Sequence, residues 1–431
     1  MRHKMLTAAA GVAVLLICVQ VASGQAATAP PAVVAGVPTN YEEAKAGSYT
    51  LPDPLMFTNG KPVRTAKEWL NKRRPEIVRL FEENQFGRSP AKPKGLTFDV
   101  FDKGTPAFEG KALRRQVTVY FTPDRNGPKM DLLIYLPAGA KKKVPVLLNL
   151  SFMPNSSVVT DPGVKPGEMW GKEKKRVPAP KGMNFGRITV EPLLARGFGV
   201  ATVYYGDIDP DFAGGVQLGV RKLYLKPGQS EPEPGEWGSI AAWAWGVSRA
   251  LDYLETDKGV DAKRVGIFGI SRLGKTVLWA GAHDPRIALV IASCSGEGGA
   301  SLSRRNYGEL VKHMNLRFGY QFCANYQKWG DHPDQMPMDS HMLVALMAPR
   351  PVLLQTGDKD FWSDPKGEFL AAVAASPVFK LFGKQGVGTD QMPAAGQYLP
   401  GIPGYYMHAG GHGTVPSDWD VFLKFLETNL K

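Results

Sequence analysis

Cysteine is scarce, with three among 431 residues. Cys18 lies in an apolar stretch at the start of the chain, so only Cys294 and Cys323 remain to pair, and a disulfide framework is excluded. Their spacing leaves one disulfide or two buried thiols open. Histidine is nearly as sparse, at seven. His332 and His341 sit nine residues apart and read as structural, so no metal-ligand cluster is expected, and no cofactor. Past the first two dozen residues no apolar run approaches the roughly 20 residues of a membrane span. There is no internal repeat. With 43% hydrophobic and 21% charged residues the chain has no disorder signature, and its length suffices for a large core.

The beginning of the chain has the layout of a secretory leader. Arg2, His3 and Lys4 precede an apolar run from Leu6 to about Val21, and small residues follow at Ala22, Ser23, Gly24 and Ala26. We therefore expect residues 1–24 to be a cleaved signal peptide and the protein to be secreted or periplasmic. Residues 25–48, rich in Ala, Pro, Val and Gly, read as a linker or N-terminal strap, and 49–431 as one catalytic domain. Removing the leader takes Arg2 and Lys4 and lowers the formal net charge of +12 by two. A basic balance favours acidic partners. Export argues against nucleic acid, and no membrane partner is indicated. A polyanionic carbohydrate fits, although the densest runs, Lys141 to Lys143 and Lys172 to Arg176, read first as solvated surface.

Periodicity sketches an α/β protein. Trp69, Leu70, Ile77, Val78 and Phe81 recur at helical spacing within 66–83. Strand-like runs follow at 115–121, 130–135, 144–150 and 197–205, then a helix at 237–255. From there strands and helices alternate: strand 264–268, helix 271–282, strand 287–293, strand 351–355, strand 404–408 and a closing helix 418–430. That alternation argues for a mostly parallel sheet covered on both faces. Residues 161–181 and 207–235, rich in Pro, Gly and charge, read as long surface insertions.

The decisive segment is Gly269-Ile270-Ser271-Arg272-Leu273-Gly274-Lys275-Thr276, between a strand and a helix. It matches the phosphate-loop pattern G-x-x-x-x-G-K-[ST], with Lys275 for phosphates and Thr276 for magnesium. Three facts oppose nucleotide binding. The chain is read as exported. Strand 287–293 does not end in the Asp that completes a magnesium site. The segment also follows several strands rather than opening its domain. The competing reading is a nucleophile elbow, with Ser271 exposed on a sharp strand-to-helix turn. Its second glycine stands three residues after the serine, at Gly274, instead of two.

The downstream half of the chain supports the elbow. Hydrolases of this type order their triad as Ser, acid, His. Strand 351–355 runs into Thr356-Gly357-Asp358-Lys359-Asp360, and His412 lies in Gly410-Gly411-His412-Gly413 before the last helix. The serine hydroxyl needs the imidazole to take its proton, and the imidazole needs a carboxylate to fix its tautomer. Asp358 and Asp360 both stand where the acid belongs. His408 reads as structural. The backbone N–H of Arg272 is expected in the oxyanion hole. The fold class is thus an α/β-hydrolase three-layer sandwich.

These residues resemble a known family. Gly269-x-Ser271-Arg272-x-Gly274-Lys275 resembles the nucleophile motif of the glucuronoyl esterases, carbohydrate esterase family 15. Ser295 to Ala300, Ser303 to Asn306, Asp339 to Leu343 and Ala348 to Pro351 extend the likeness, which runs from about residue 144 to the end and is similar to the bacterial branch. The resemblance implies hydrolysis of the ester between (4-O-methyl-)glucuronic acid on xylan and a lignin alcohol, through an acyl-enzyme on Ser271. It implies oxyanion stabilisation by the Arg272 side chain, sugar contacts from Lys275 and Trp362, and a weaker one from Glu309. Many members carry the acid as Glu just past the strand that follows the elbow. Here that position is Cys294, which points to Asp360 as the acid and leaves Glu297 and Asp358 open. A related acetyl or feruloyl esterase is the main rival, and a monomer is expected.

Overall fold

The apolar runs in the middle of the chain become strands buried on both faces. The computed structural model describes residues 30–182 and 185–431; the expected leader lies outside the described residues. Ten strands form one mixed sheet: β1 Thr97–Ala107, β2 Ala112–Tyr120, β3 Lys129–Pro137, β4 Val144–Ser151, β5 Gly199–Tyr204, β6 Val260–Ile270, β7 Ile287–Ser293, β8 Val352–Gly357, β9 Tyr398–Leu399 and β10 Gly404–His408. Their order across the sheet is β9-β10-β8-β7-β6-β4-β5-β3-β2-β1. The six strands from β10 to β5 are mutually parallel. The strands at both edges pair antiparallel.

Side-chain alternation explains the layers. Val146, Leu148, Leu150, Ile267, Val290 and Ala292 point into one apolar cluster, while Leu147, Phe268, Ile270, Leu289 and Ile291 point into another. A parallel strand covered on both faces must be apolar at successive positions, which is why β4 and β7 read as continuous runs. Helices α1 (Ser239–Leu254), α2 (Arg272–His283) and α3 (Pro365–Lys380) contribute Trp243, Leu251, Val277 and Phe369 to the first cluster. Helix α4 (Asp418–Leu430) and the short helix Val190–Ala195 contribute Trp419, Phe422 and Leu193 to the second. The result is the three-layer sandwich expected of an α/β-hydrolase.

Several elements differ from the sequence reading. Strand β1 and helix α3 were not expected. The 161–181 insertion holds a small hairpin, Glu168–Trp170 against Arg176–Pro178. The N-terminal helical run extends from Ala66 to Phe86 through wider turns at Trp69–Arg73 and Glu82–Phe86. Residues 32–431 form one compact unit. Within it, residues 40–46 are hydrogen-bonded to the 305–309 loop: Asn306 N donates to Ala46 O at 3.0 Å and Gly308 N to Asn40 O at 2.9 Å. The Arg305 guanidinium lies 2.8 Å from the Glu43 carboxylate. Among the described residues no helix is long and apolar enough to cross a membrane.

Candidate active site

Four neighbouring parallel strands end at one edge of the sheet, and each delivers one residue there. Ser271 follows β6, Cys294 follows β7, Asp360 lies three residues past β8, and His412 lies four past β10. The carboxyl ends of parallel strands are where open α/β sheets bind ligands.

Ser271 sits at φ 59°, ψ −127°, a conformation costly for a residue with a Cβ. Its N–H donates to Ser293 O at 2.8 Å, and its carbonyl accepts from Lys275 N at 3.1 Å. The turn is thus tied to the end of β7 behind it and to α2 in front. Glycines make it possible. A Cβ on Gly269 would meet the Leu273 carbonyl oxygen at 2.4 Å, and one on Gly274 would meet the Ser293 carbonyl oxygen at 2.8 Å. Gly274 therefore lets α2 pack against the end of β7, which explains a second glycine at that spacing. Arg272 opens the helix, so its N–H has no acceptor within the helix and lies at a positive dipole end.

One of the two aspartates lies against the imidazole. His412 Nδ1 lies 2.7 Å from Asp360 Oδ2. Ser363 Oγ is 3.2 Å from the same nitrogen. The Nδ1 proton thus points to Asp360 and Nε2 is left to accept. No hydrogen bond joins Ser271 Oγ to His412; contacts of this kind often tighten only with substrate bound. Burial alone pushes Asp360 up, but the His412 charge and its hydrogen bonds bring the carboxyl below its usual value. Burial pulls the His412 imidazole down, and the Asp360 charge more than offsets it, leaving the pKa raised. The His412 side chain is 37% exposed, so it faces the entrance while Asp360 lies behind it. Asp358 is directed elsewhere: it accepts from Gly410 N at 2.7 Å and fastens the glycine loop. His408 is buried on Asp418 at 3.0 Å and Gln355 at 2.9 Å, a structural role as read.

Cys294 and Cys323 are both buried and unpaired with each other. Cys294 adopts φ 44° beside Asp360 and His412. Its sulfur exchanges hydrogen bonds with Gly413 N and O at 3.3 and 3.4 Å. It therefore seats the backbone next to His412, while burial pushes the thiol far above its normal range. The Cys294, Asp360 and His412 ligand atoms lie within 4.8 Å of one another. The close Asp360–His412 hydrogen bond occupies two of them, so they read as the acid–base pair. Glu297 points inward, accepting from Ser303 Oγ at 2.6 Å and Tyr326 OH at 3.1 Å.

The remaining expected residues gather beside this cluster. Lys275 is buried with its Nζ 3.8 Å from Glu309 Oε2. Burial lowers its pKa, partly countered by Glu309. Glu309 N donates to Trp362 O at 2.8 Å, and Arg317 lies over the Trp362 ring at 5.4 Å. Arg272 pairs with Asp211, a residue no sequence pattern singled out. Glu368, also missed, is fully buried under the 295–299 loop and accepts from Gly296 N at 2.6 Å.

A serine on a strained strand-to-helix turn, with an imidazole–carboxylate pair on the neighbouring strand ends, defines an α/β-hydrolase-type carboxylic ester hydrolase. A family profile described as "Glucuronyl esterase, fungi" matches residues 232–383. The chain is 44% identical over 399 residues to a carbohydrate esterase of an unknown prokaryotic organism, covering 91% of this chain and 92% of that one. A solved glucuronoyl esterase from Solibacter usitatus is 49% identical with a TM-score of 0.86, covering 90% of this chain and 100% of the other. A family 15 glucuronoyl esterase from Teredinibacter turnerae is 31% identical at TM-score 0.76, over 91% and 92%. The chain belongs to carbohydrate esterase family 15, the glucuronoyl esterases.

Proposed function

We propose that this protein hydrolyses esters of (4-O-methyl-)glucuronic acid carried on xylan, releasing a lignin-type alcohol and the free uronate. The observation that carries the reading is the His412–Asp360 pair at 2.7 Å, one strand-end cluster with the Ser271 elbow. Ser271 Oγ attacks the uronoyl carbonyl carbon and passes its proton to His412 Nε2. Asp360 holds the Nδ1–H and stabilises the imidazolium. The developing oxyanion is met by the Arg272 N–H and guanidinium. Collapse breaks the ester C–O bond, and His412 protonates the departing alcohol. Water then attacks the acyl-enzyme, giving its proton to His412, and Ser271 is regenerated.

Lys275, Trp362 and Glu309 surround the place where the sugar of the acyl group sits. Lys275 offers hydrogen bonds to hydroxyls, Trp362 an apolar face and Glu309 an acceptor. The reaction needs no cofactor. The catalytic unit is taken as 49–431, preceded by a strap and a cleaved leader, acting outside the cytoplasm as a monomer.

The test is hydrolysis of benzyl glucuronate beside 4-nitrophenyl acetate, with Ser271→Ala as control. Glucuronate turnover lost by roughly 10⁶-fold in the variant is expected. Turnover of acetate alone would retain the triad and overturn the substrate; serine-independent turnover would overturn the mechanism.

A further inference from the structure

Arg272 is held by a carboxylate that has no acceptor capacity left over. Asp211 Oδ1 accepts from Tyr320 OH at 2.9 Å and from Gln321 Nε2 at 2.7 Å. Oδ2 accepts from Tyr205 OH at 2.9 Å and from Arg272 Nη1. Tyr320 OH also lies 3.0 Å from the Asp211 carbonyl. Four donors therefore converge on one carboxylate, about as many as its lone pairs accommodate. Both partners are largely buried, at 11% exposure for Asp211 and 21% for Arg272. The guanidinium carbon rests 4.9 Å over the Phe318 ring. Only Nη1 is used: Nε and Nη2 bond to no protein group among the described residues.

This geometry grips the guanidinium at one corner and along one face. The other edge is left free, and it cannot swing without breaking the charge-assisted bond to an Asp211 that three further donors hold in place, and leaving the Phe318 ring. A donor preorganised in this way needs no rearrangement when charge develops on the carbonyl oxygen.

We propose that Asp211, with Tyr205, Tyr320 and Gln321 as its anchors, is a positioning residue for the reaction, fixing Arg272 so that its unpaired N–H edge meets the oxyanion. The inference rests on the oxyanion role given to Arg272 above. Arg272 keeps its charge without the clamp, but it then samples several rotamers, so transition-state stabilisation is lost while ground-state binding is kept.

The experiment is a double-mutant cycle on benzyl glucuronate with Arg272→Ala, Asp211→Asn and both together, each checked by thermal melting. Asp211→Asn is expected to lower kcat by roughly 10²-fold, the lower end of the value of one oxyanion donor, with KM little changed. In the Arg272→Ala background the same change should cost nothing further. Tyr320→Phe removes one anchor and leaves the charge, so it keeps the question open to test should Asp211→Asn fold poorly. It should lower kcat several-fold, again only when Arg272 is present. If Arg272→Ala lowers kcat but the Asp211 or Tyr320 effect multiplies with it, positioning through Arg272 is overturned. It is also overturned if both folded variants keep full kcat. If Arg272→Ala itself leaves kcat unchanged, the oxyanion role fails first and this inference falls with it.

Discussion

Buried carboxyls near the site are governed by what each one faces. Asp360 and Glu368 are both driven up by burial, but only Asp360 looks at an imidazole, and it ends below its ordinary value. Glu368 is met by Gly296 N and Ser295 Oγ, and its second oxygen has no partner among the described residues. Its pKa is pushed up to about 8 from 4.5. Asp360→Asn should lower kcat by about 10⁴-fold, because the wrong imidazole tautomer is then favoured. It should also move the acid limb of the pH–rate profile to lower pH, since the charge that raises His412 is gone. A limb that stays in place would mean another acid serves His412. For Glu368 the sign is reversed. A carboxyl raised in the folded state contributes stability below its unfolded value, and that contribution is lost as pH rises from about 4.5 through about 8. Each tenfold change in proton affinity is worth about 1.4 kcal/mol, so the loss reaches several kcal/mol. Glu368→Gln, which mimics the protonated form, should raise the Tm at pH 8 and flatten its fall with pH. Some slope should persist, because Glu297 is also raised to about 8. An unchanged Tm–pH curve would count against a protonated Glu368.

The nucleophile elbow is the element on which the site depends. Ser271 is held at φ 59° only because Gly269 and Gly274 let backbone approach backbone. Gly269→Ala puts a Cβ against a fixed carbonyl oxygen, so the turn itself must shift. We expect a destabilisation of about 3 kcal/mol, the upper part of the usual range for single substitutions, together with loss of activity. A fully active, unshifted variant in melting and turnover assays would contradict this account of the turn. Elements of this kind were legible in the sequence because short-range sterics and burial on both faces leave a local imprint. Strands β4, β7 and β10 read correctly for that reason. Strand β1 was hidden: it is an exposed edge, and Asp99, Asp102, Lys103, Gly104 and Pro106 interrupt any alternation. Helix α3 was hidden by Pro365, Gly367 and Pro377 and by apolar residues all round it. Which aspartate lies against His412 depends on the course of the backbone past β8, which turns Asp358 onto Gly410 N and Asp360 onto the imidazole. The Asp211–Arg272 pair joins residues 61 positions apart, and no local pattern announces it.

Charge distribution over the whole molecule bears on which substrates reach the site. The chain carries a formal net charge of +12, and its two densest basic runs lie in different surroundings. Lys141, Lys142 and Lys143 precede β4, at the edge of the sheet opposite the catalytic strand ends. Lys172, Lys174 and Lys175 are exposed on the 168–178 hairpin. That hairpin is bound to the site's own loop: Arg176 pairs with Asp207 at 2.7 Å, and Lys174 donates to Ala213 O at 3.0 Å, on either side of Asp211. An esterified glucuronate is neutral, so the reacting sugar gives this positive field nothing to attract. A xylan bearing other, free uronates is an anion, and its attraction is screened beyond about 8 Å at physiological salt. KM for polymeric glucuronoxylan should therefore rise several-fold between low and moderate sodium chloride, while KM for benzyl glucuronate stays level. Replacing Lys172, Lys174 and Lys175 by Gln should remove much of that salt dependence, and replacing Lys141 to Lys143 should leave it intact. Equal effects from the two triples would mean that net charge alone draws the polymer in. No salt dependence with either would make both runs solvated surface, as their composition first suggested.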